Sequence, residues 1–276
     1  MDLHTVTDVV RPADRGDIPA WHAEDAWLAG GTWLFSEPQP SVRRLIDLEA
    51  LRWEPILADG RGLSIAATCT IRRLDAFEAP AGWTAAPLIR RCCRSLLASF
   101  KIWNTATVGG NLCMSLPAGA LISLTAALEG VCVVWPRDGG ERLVPVVDFV
   151  TGDHRNVLGP GDLLRRVDLP ASALRKRTAF RRMSLTREGR STALLIGTLG
   201  PDDGPWALTV TAATVRPVRI EFDRPPTARR LRDALGETIP DGLYLDDPHG
   251  TPAYRKHLTG HFAEQIRREL SEGSRP

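Results

Sequence analysis

Two glycine pairs in this chain have the make-up of anion-binding loops. Ala29-Gly30-Gly31-Thr32 closes the apolar run from Ile18 to Leu34, and Thr107-Val108-Gly109-Gly110-Asn111 follows an amphipathic stretch much later in the chain. Glycine lets backbone N–H groups approach phosphate oxygens closely and adopt positive φ, so each loop can form an anion-binding nest. A diphosphate needs several donors, and Thr32, Thr107 and Asn111 add side-chain donors beside the pairs. Taken separately, each loop is also accounted for by a plain turn. Neither fits G-x-G-x-x-G or the Walker pattern, so a nicotinamide Rossmann site or a P-loop is not supported.

Other tempting residues have plainer readings. Cys69, Cys92, Cys93, Cys113 and Cys132 are odd in number, lack C-x-x-C spacing and have no His at ligand distance. That argues for a reducing compartment and against a zinc or iron-sulfur site on this chain, so no metal site is expected. His257 and His261 have i, i+4 spacing without a third ligand, which reads as packing or surface. Arg90, Arg91 and Arg94 read as the wet face of a helix, and the eight Trp residues as core and interface material.

The strands and helices around the loops are legible in part. Ile18–Leu34 ends in a short strand entering a tight loop, and Ile65–Thr70 reads as a second strand. Leu88, Ile89, Cys92, Cys93, Leu96, Leu97 and Phe100 recur at three- and four-residue steps, predicting one amphipathic helix between Pro87 and Ile102. Ala106–Leu112 then reads as a glycine-rich loop, followed by a helix from Pro117 to Glu129 that is apolar on most faces and should be buried. A hairpin is predicted over Val131–Trp135 and Arg142–Val147, and a strand over Leu163–Leu169. Pro170–Arg177 reads as a hinge. Beyond it, Phe180–Leu185, Ala193–Leu199, Trp206–Val215 and Val218–Phe222 form a strand meander, and Thr227–Leu235 and Pro252–Leu270 are helices. The last helix lines up Tyr254, Leu258, His261, Phe262, Gln265, Ile266 and Leu270.

Composition bounds the function. With 43% apolar and 25% charged residues, the chain has the make-up of an ordinary soluble protein of one or two domains. Lys101, Lys176 and Lys256 are the only lysines among 35 basic residues, and 33 acidic residues leave a formal charge of +2, so no nucleic-acid face is indicated. Met1–Arg15 has no apolar core of signal-peptide length, and Leu116–Trp135 is broken by Ser123, Thr125, Glu129 and Gly130. The expectation is a cytoplasmic protein with no membrane span.

Taken together and in order, these motifs resemble a family. Ala29-Gly30-Gly31-Thr32, Ile65-Ala66-Ala67-Thr68-Cys69-Thr70, and Ala106 through Cys113 to Ser115 and Pro117 resemble the FAD-binding (medium) subunit of molybdenum hydroxylases, the group of xanthine dehydrogenase and aerobic carbon monoxide dehydrogenase. Leu158-Gly159-Pro160-Gly161-Asp162-Leu163-Leu164, ending at Asp168-Leu169-Pro170, resembles the family's stretch before its C-terminal domain. The likeness runs from about residue 25 to 222.

The resemblance implies an α+β architecture. A two-lobed FAD-binding fold of the vanillyl-alcohol-oxidase/PCMH type is expected over residues 1–172, with lobes of about 1–55 and 56–172, followed by a C-terminal antiparallel sheet with helices over 173–276. It implies FAD as cofactor. Ala29, Gly30, Gly31 and Thr32 would form the first pyrophosphate loop, and Thr107, Gly109, Gly110 and Asn111 the second. Ser115 would lie near the ribityl chain and Leu158 against the flavin ring. Arg181 takes the place of a family Lys near the pyrimidine edge, where a cation would stabilise a reduced flavin anion; a solvated strand residue is the alternative. No catalytic residue is expected on this chain.

The implied role is electron transfer in an oxidoreductase. Electrons would pass from iron-sulfur clusters on one partner to FAD and on to NAD or another acceptor, while hydroxylation occurs on a molybdopterin-binding large subunit. Departures motivate an alternative. Where the family has Ser-Pro-Ala-Ala-Asp, this chain reads Ser115-Leu116-Pro117-Ala118-Gly119-Ala120, so a cofactor carboxylate is missing, and Trp103, Ala66 and Ser191 replace common Arg, Gly and Asp. A flavin-depleted structural subunit is therefore a second reading, and a free-standing flavin oxidoreductase a third.

Overall fold

The computed structural model describes residues 3–272. Near the N-terminus, β1 (Asp8–Val10), β2 (Asp25–Leu28) and β3 (Arg44–Asp47) form a parallel sheet in the order β1-β3-β2. The buried Asp25 carboxylate fastens two of these strands, taking hydrogen bonds from Arg44 Nε at 2.8 Å and its NH2 at 2.6 Å. Burial opposes that charge, but Arg44 and the His22 N–H hold the Asp25 carboxyl below its usual pKa. The pair thus anchors β2, whose end launches the first glycine loop.

A second sheet begins with β4 (Ile56–Asp59) and β5 (Gly62–Ala66). Five helices follow: α1 (Ile71–Asp75), α2 (Ala86–Cys93), α3 (Phe100–Thr105), α4 (Val108–Met114) and α5 (Ala120–Ala127). The chain returns through β6 (Val131–Trp135), β7 (Arg142–Pro145), α6 (Val146–Phe149), the small hairpin β8 (Val150–Gly152) and β9 (Arg155–Asn156), and β10 (Leu163–Pro170). The order is β4-β5-β10-β6-β7, antiparallel throughout, with Val167 opposite Ile65 on one side and Cys132 on the other. The large core under this sheet gathers Leu63, Ile65, Leu88, Leu112, Leu121 and Leu124.

After α7 (Ala171–Leu174), a third sheet runs as a meander of β11 (Arg177–Ser184), β12 (Ser191–Leu199), β13 (Trp206–Thr211) and β14 (Val218–Phe222), closed by α8 (Ala228–Thr238) and α9 (Pro252–Glu272). Its alternation serves two buried faces. Leu194 and Ile196 join the core shared with α5, whereas Ala193, Leu195 and Leu199 face the α8 and α9 side. Every residue of β12 is therefore buried, and so are all eight of α5, which packs on α2 and α4 as well as on β12 and β13 of the third sheet. The apolar character of that helix on all sides follows from having these several partners.

Three expectations are corrected. The single helix from Pro87 to Ile102 is two, because Ser95 Oγ bonds the Arg91 carbonyl at 2.8 Å near the end of α2 while Ser99 caps the start of α3. The supposed loop at Ala106–Leu112 is largely α4, and the hinge at Pro170–Arg177 holds α7, whose Leu174 carbonyl accepts the Ala85 N–H at 3.0 Å. On α9, His257 and His261 are exposed with parallel rings 6.3 Å apart, and Arg255, Thr259 and Ala263 take buried places.

Candidate functional site

The fold brings the two glycine pairs together. At the end of β2, Ala29 packs beside the small core of Leu48, Leu51 and Leu163, and Gly30 lies flat against the end of α3. A Cβ at Gly30 would overlap the Thr105 carbonyl oxygen and sit 3.3 Å from Ala106 Cα. Gly31 has φ +66, a left-handed conformation that favours glycine, and its carbonyl accepts the Phe35 N–H at 2.8 Å. Among the described residues, the N–H groups of Gly30, Gly31 and Thr32 donate to no protein acceptor, and the Thr32 hydroxyl has no protein partner. Consecutive unpaired donors on a left-handed turn are what an anion nest requires.

The second pair is built differently from the open nest expected of it. Thr107 is the N-cap of α4, its hydroxyl accepting the Gly110 N–H at 3.0 Å and its carbonyl the Asn111 N–H at 3.0 Å. The Val108 and Gly109 N–H groups go to the carbonyls of Cys69 and Ala67 at 2.8 and 2.9 Å. The start of α4 is thus satisfied internally and docked on the segment after β5. Its glycines have separate tasks. A Cβ at Gly109 would overlap the Ala67 Cβ and lie 2.7 Å from its Cα, so close approach of helix and strand end demands glycine there. At Gly110 a Cβ would meet only the Thr107 hydroxyl, at 3.1 Å, so that position faces open space.

Asn111 and Ser115 are framework residues. Asn111 Oδ1 accepts the Leu121 N–H at 3.0 Å and so fixes the first turn of α5, where Ala120 is fully buried. Ser115, buried with φ +52, donates its hydroxyl to the Leu112 carbonyl at 2.9 Å and receives the His154 N–H on its own carbonyl at 3.2 Å. Asn156 adds a bond to the Cys113 carbonyl at 2.7 Å, and its Oδ1 accepts the Leu158 N–H at 2.9 Å. The β8–β9 hairpin and half-buried Leu158 are therefore tied to the end of α4. The first loop reaches the same place, because the Trp33 ring lies 5.4 Å from the His154 ring.

Arg181 is the residue that does not join them. Phe180 packs on the core shared with α5, and strand alternation sends Arg181 to the opposite face. There it binds α9, with Nε to Gln265 Oε1 at 2.8 Å and NH2 to Glu269 Oε2 at 2.6 Å. The arginine on the Phe180 side is Arg182, which donates to Ser191 Oγ at 2.7 Å and to the Gly189 carbonyl. Burial lowers its pKa. Counting by twos from Phe180 along β11 would have selected it, whereas Trp33 and His154 meet only through the tertiary fold.

Comparison with known proteins bears on this geometry. The family model described as the FAD binding domain in molybdopterin dehydrogenase matches residues 6–172. The caffeine dehydrogenase subunit beta of a Pseudomonas species is 28% identical over 180 residues, and the match covers 60% of this chain and 58% of that protein. The chain thus spans a little over half the length of this curated relative. Among solved structures, quinoline 2-oxidoreductase from Pseudomonas putida 86 aligns with TM-score 0.75 at 19% identity over 98% of both chains. The CO dehydrogenase of Oligotropha carboxidovorans aligns at 0.77 and 20% identity over 95% of this chain and 96% of that one. These structural likenesses establish the mixed helix-and-sheet fold along nearly the whole chain. Since the family model spans more than half of its length, the chain belongs to the FAD-binding-domain family of molybdopterin dehydrogenases.

Proposed function

We propose that this chain is the FAD-carrying electron-transfer subunit of a molybdenum hydroxylase complex, an oxidoreductase. The observation that carries the reading is the first loop, where the N–H groups of Gly30, Gly31 and Thr32 and the Thr32 hydroxyl lack protein acceptors beside a second glycine pair with an open Gly110. The residues fit a dinucleotide: loop 29–32 would hold the diphosphate, Gly110 would leave room for it, and Thr107, Gly109, Asn111 and Ser115 would keep that wall in place. Leu158 would offer an apolar surface to the ring. Held there, FAD would supply reversible electron uptake and release towards an acceptor, NAD or another.

Iron-sulfur and molybdopterin centres belong to partner subunits in this reading. Among the described residues no three His, Cys, Asp or Glu side chains converge as a metal site. Burial pushes the thiols of Cys69, Cys93 and Cys113 up to about 12, so they stay protonated inside the core. Among the described residues no helix is long and apolar enough to cross a membrane, which accords with a cytoplasmic complex. A flavin-depleted structural subunit is the second reading, favoured by Ala120 in place of a carboxylate. Purified chain or complex should be yellow and release FAD on denaturation; protein that stays colourless after FAD is added refutes the proposal and favours the second reading.

A further inference from the structure

A cleft of about 270 Å³ opens between the N-terminal sheet and the β6–β7 hairpin, and no residue of either glycine loop lines it. Its walls are the indoles of Trp21, Trp27 and Trp135, and Arg15 and Arg137 also line it. The Trp21 and Trp27 rings lie 4.9 Å apart, and the Arg15 guanidinium sits 4.5 Å from the Trp135 ring. Two indole N–H groups are already used, Trp27 on the Asp162 carbonyl and Trp135 on Glu141, each at 3.0 Å. Trp21 and Trp27 lie against each other, and Arg15, Arg165 and Trp53 approach the Trp135 ring, so what remains for a ligand is the part of each indole that faces the cleft. Among the described residues no acidic side chain lines the cleft, and the Arg137 guanidinium has no protein partner.

Gly161 makes the arrangement possible. Its φ is +87, and a Cβ there would come within 2.9 Å of Trp21 Cγ and 3.1 Å of Arg137 Cδ, so only glycine lets the indole and the arginine stem converge on this turn. We propose that the cleft binds a planar aromatic anion, with its ring against the indoles and its negative group on Arg137 and Arg15. The volume, at the small end of ligand pockets, suits one bicyclic ring with a single anionic substituent. A purine nucleotide and an aromatic carboxylate share that chemistry. The inference reaches beyond the FAD reading and does not rest on it.

The test titrates the purified full chain with AMP and with naphthoate, following tryptophan emission and heat of binding, with adenosine and inorganic phosphate as single-feature controls. Saturable binding is expected for AMP, naphthoate or both, and which of them binds identifies the source. Adenosine and phosphate should bind at least ~tenfold more weakly, and Arg137→Ala should weaken the anion by ~tenfold or more, the loss of one charge-assisted contact. Circular dichroism should show the exposed Arg137 variant folded like the parent. The proposal is overturned if neither aromatic anion saturates, or if Arg137→Ala binds as tightly as the parent.

Discussion

Replacing Gly110 and Gly109 one at a time by alanine separates two tasks that the second glycine pair combines. Gly110 is the third residue of α4, and its added Cβ meets only the Thr107 hydroxyl at 3.1 Å. Alanine is better than glycine inside a helix by about 0.8–1 kcal/mol, and a slight shift of the capping hydroxyl offsets part of that. Stability of Gly110→Ala should therefore stay within about 1 kcal/mol of the parent. Its FAD affinity should not. A methyl group in the space reserved for phosphate oxygens would remove one or more charge-assisted hydrogen bonds of about 1.5–3 kcal/mol, or ~10- to 100-fold in Kd. Gly109→Ala should do the reverse. Its methyl overlaps Ala67, so α4 must lift from the end of β5 at a cost of about 1–3 kcal/mol, and FAD should fall only as the folded fraction falls. Flavin absorbance per folded chain, measured beside thermal melts by circular dichroism, reads both. A well-folded Gly110→Ala chain that keeps the parent's FAD would refute this placement of the cofactor.

Three further outcomes follow from contacts elsewhere. Arg181→Leu should leave bound flavin unchanged and cost about 0.5–1.5 kcal/mol, since its partners are Gln265 and Glu269 on α9; flavin loss from a folded variant would return Arg181 to the cofactor site. Glu129 accepts Arg219 NH2 at 2.9 Å and the Lys176 ammonium, both cations being only about one-tenth exposed. Glu129→Ala should lower stability by about 3 kcal/mol in calorimetry, and an unchanged melt would show that this ion cluster does not hold the third sheet to α5. Hydrogen bonds from Arg267, reinforced by Arg268 against the effect of burial, hold the Glu264 carboxyl down to about 2. Its folded value lies below its unfolded value, so its contribution is complete above about pH 4.5 and fades as the pH falls towards 2. Glu264→Gln should flatten the melting temperature across that window, and an unaltered slope would remove the linkage.

Much of the framework was readable because local periodicity reports local burial. The β6–β7 hairpin, the meander from β11 to β14, α9 and the largely apolar α5 all follow from the spacing of their residues. The two glycine pairs were visible as well, and with the later Leu158–Pro170 stretch they pointed to the family. The short parallel strands β1 and β3 have too few residues to display an alternation in the sequence, and they pair with segments distant along the chain.

Which neighbour each of these groups meets is set by contacts between elements, not by local spacing. Gly109 and Gly110 are adjacent and chemically identical, yet one is pressed against Ala67 and the other faces open space, because α4 docks on the end of β5 with one side alone. The Thr107 hydroxyl and Asn111 Oδ1 also accept backbone N–H groups at the starts of α4 and α5, a capping task that appears only once those helices lie within their reach. Arg181 and Arg182 were indistinguishable as letters until Phe180 was committed to the core, after which strand alternation sent one to α9 and kept the other on the α5 side. Sequence spacing sets the direction of a side chain relative to its own element, whereas its partner depends on contacts between elements far apart in the chain.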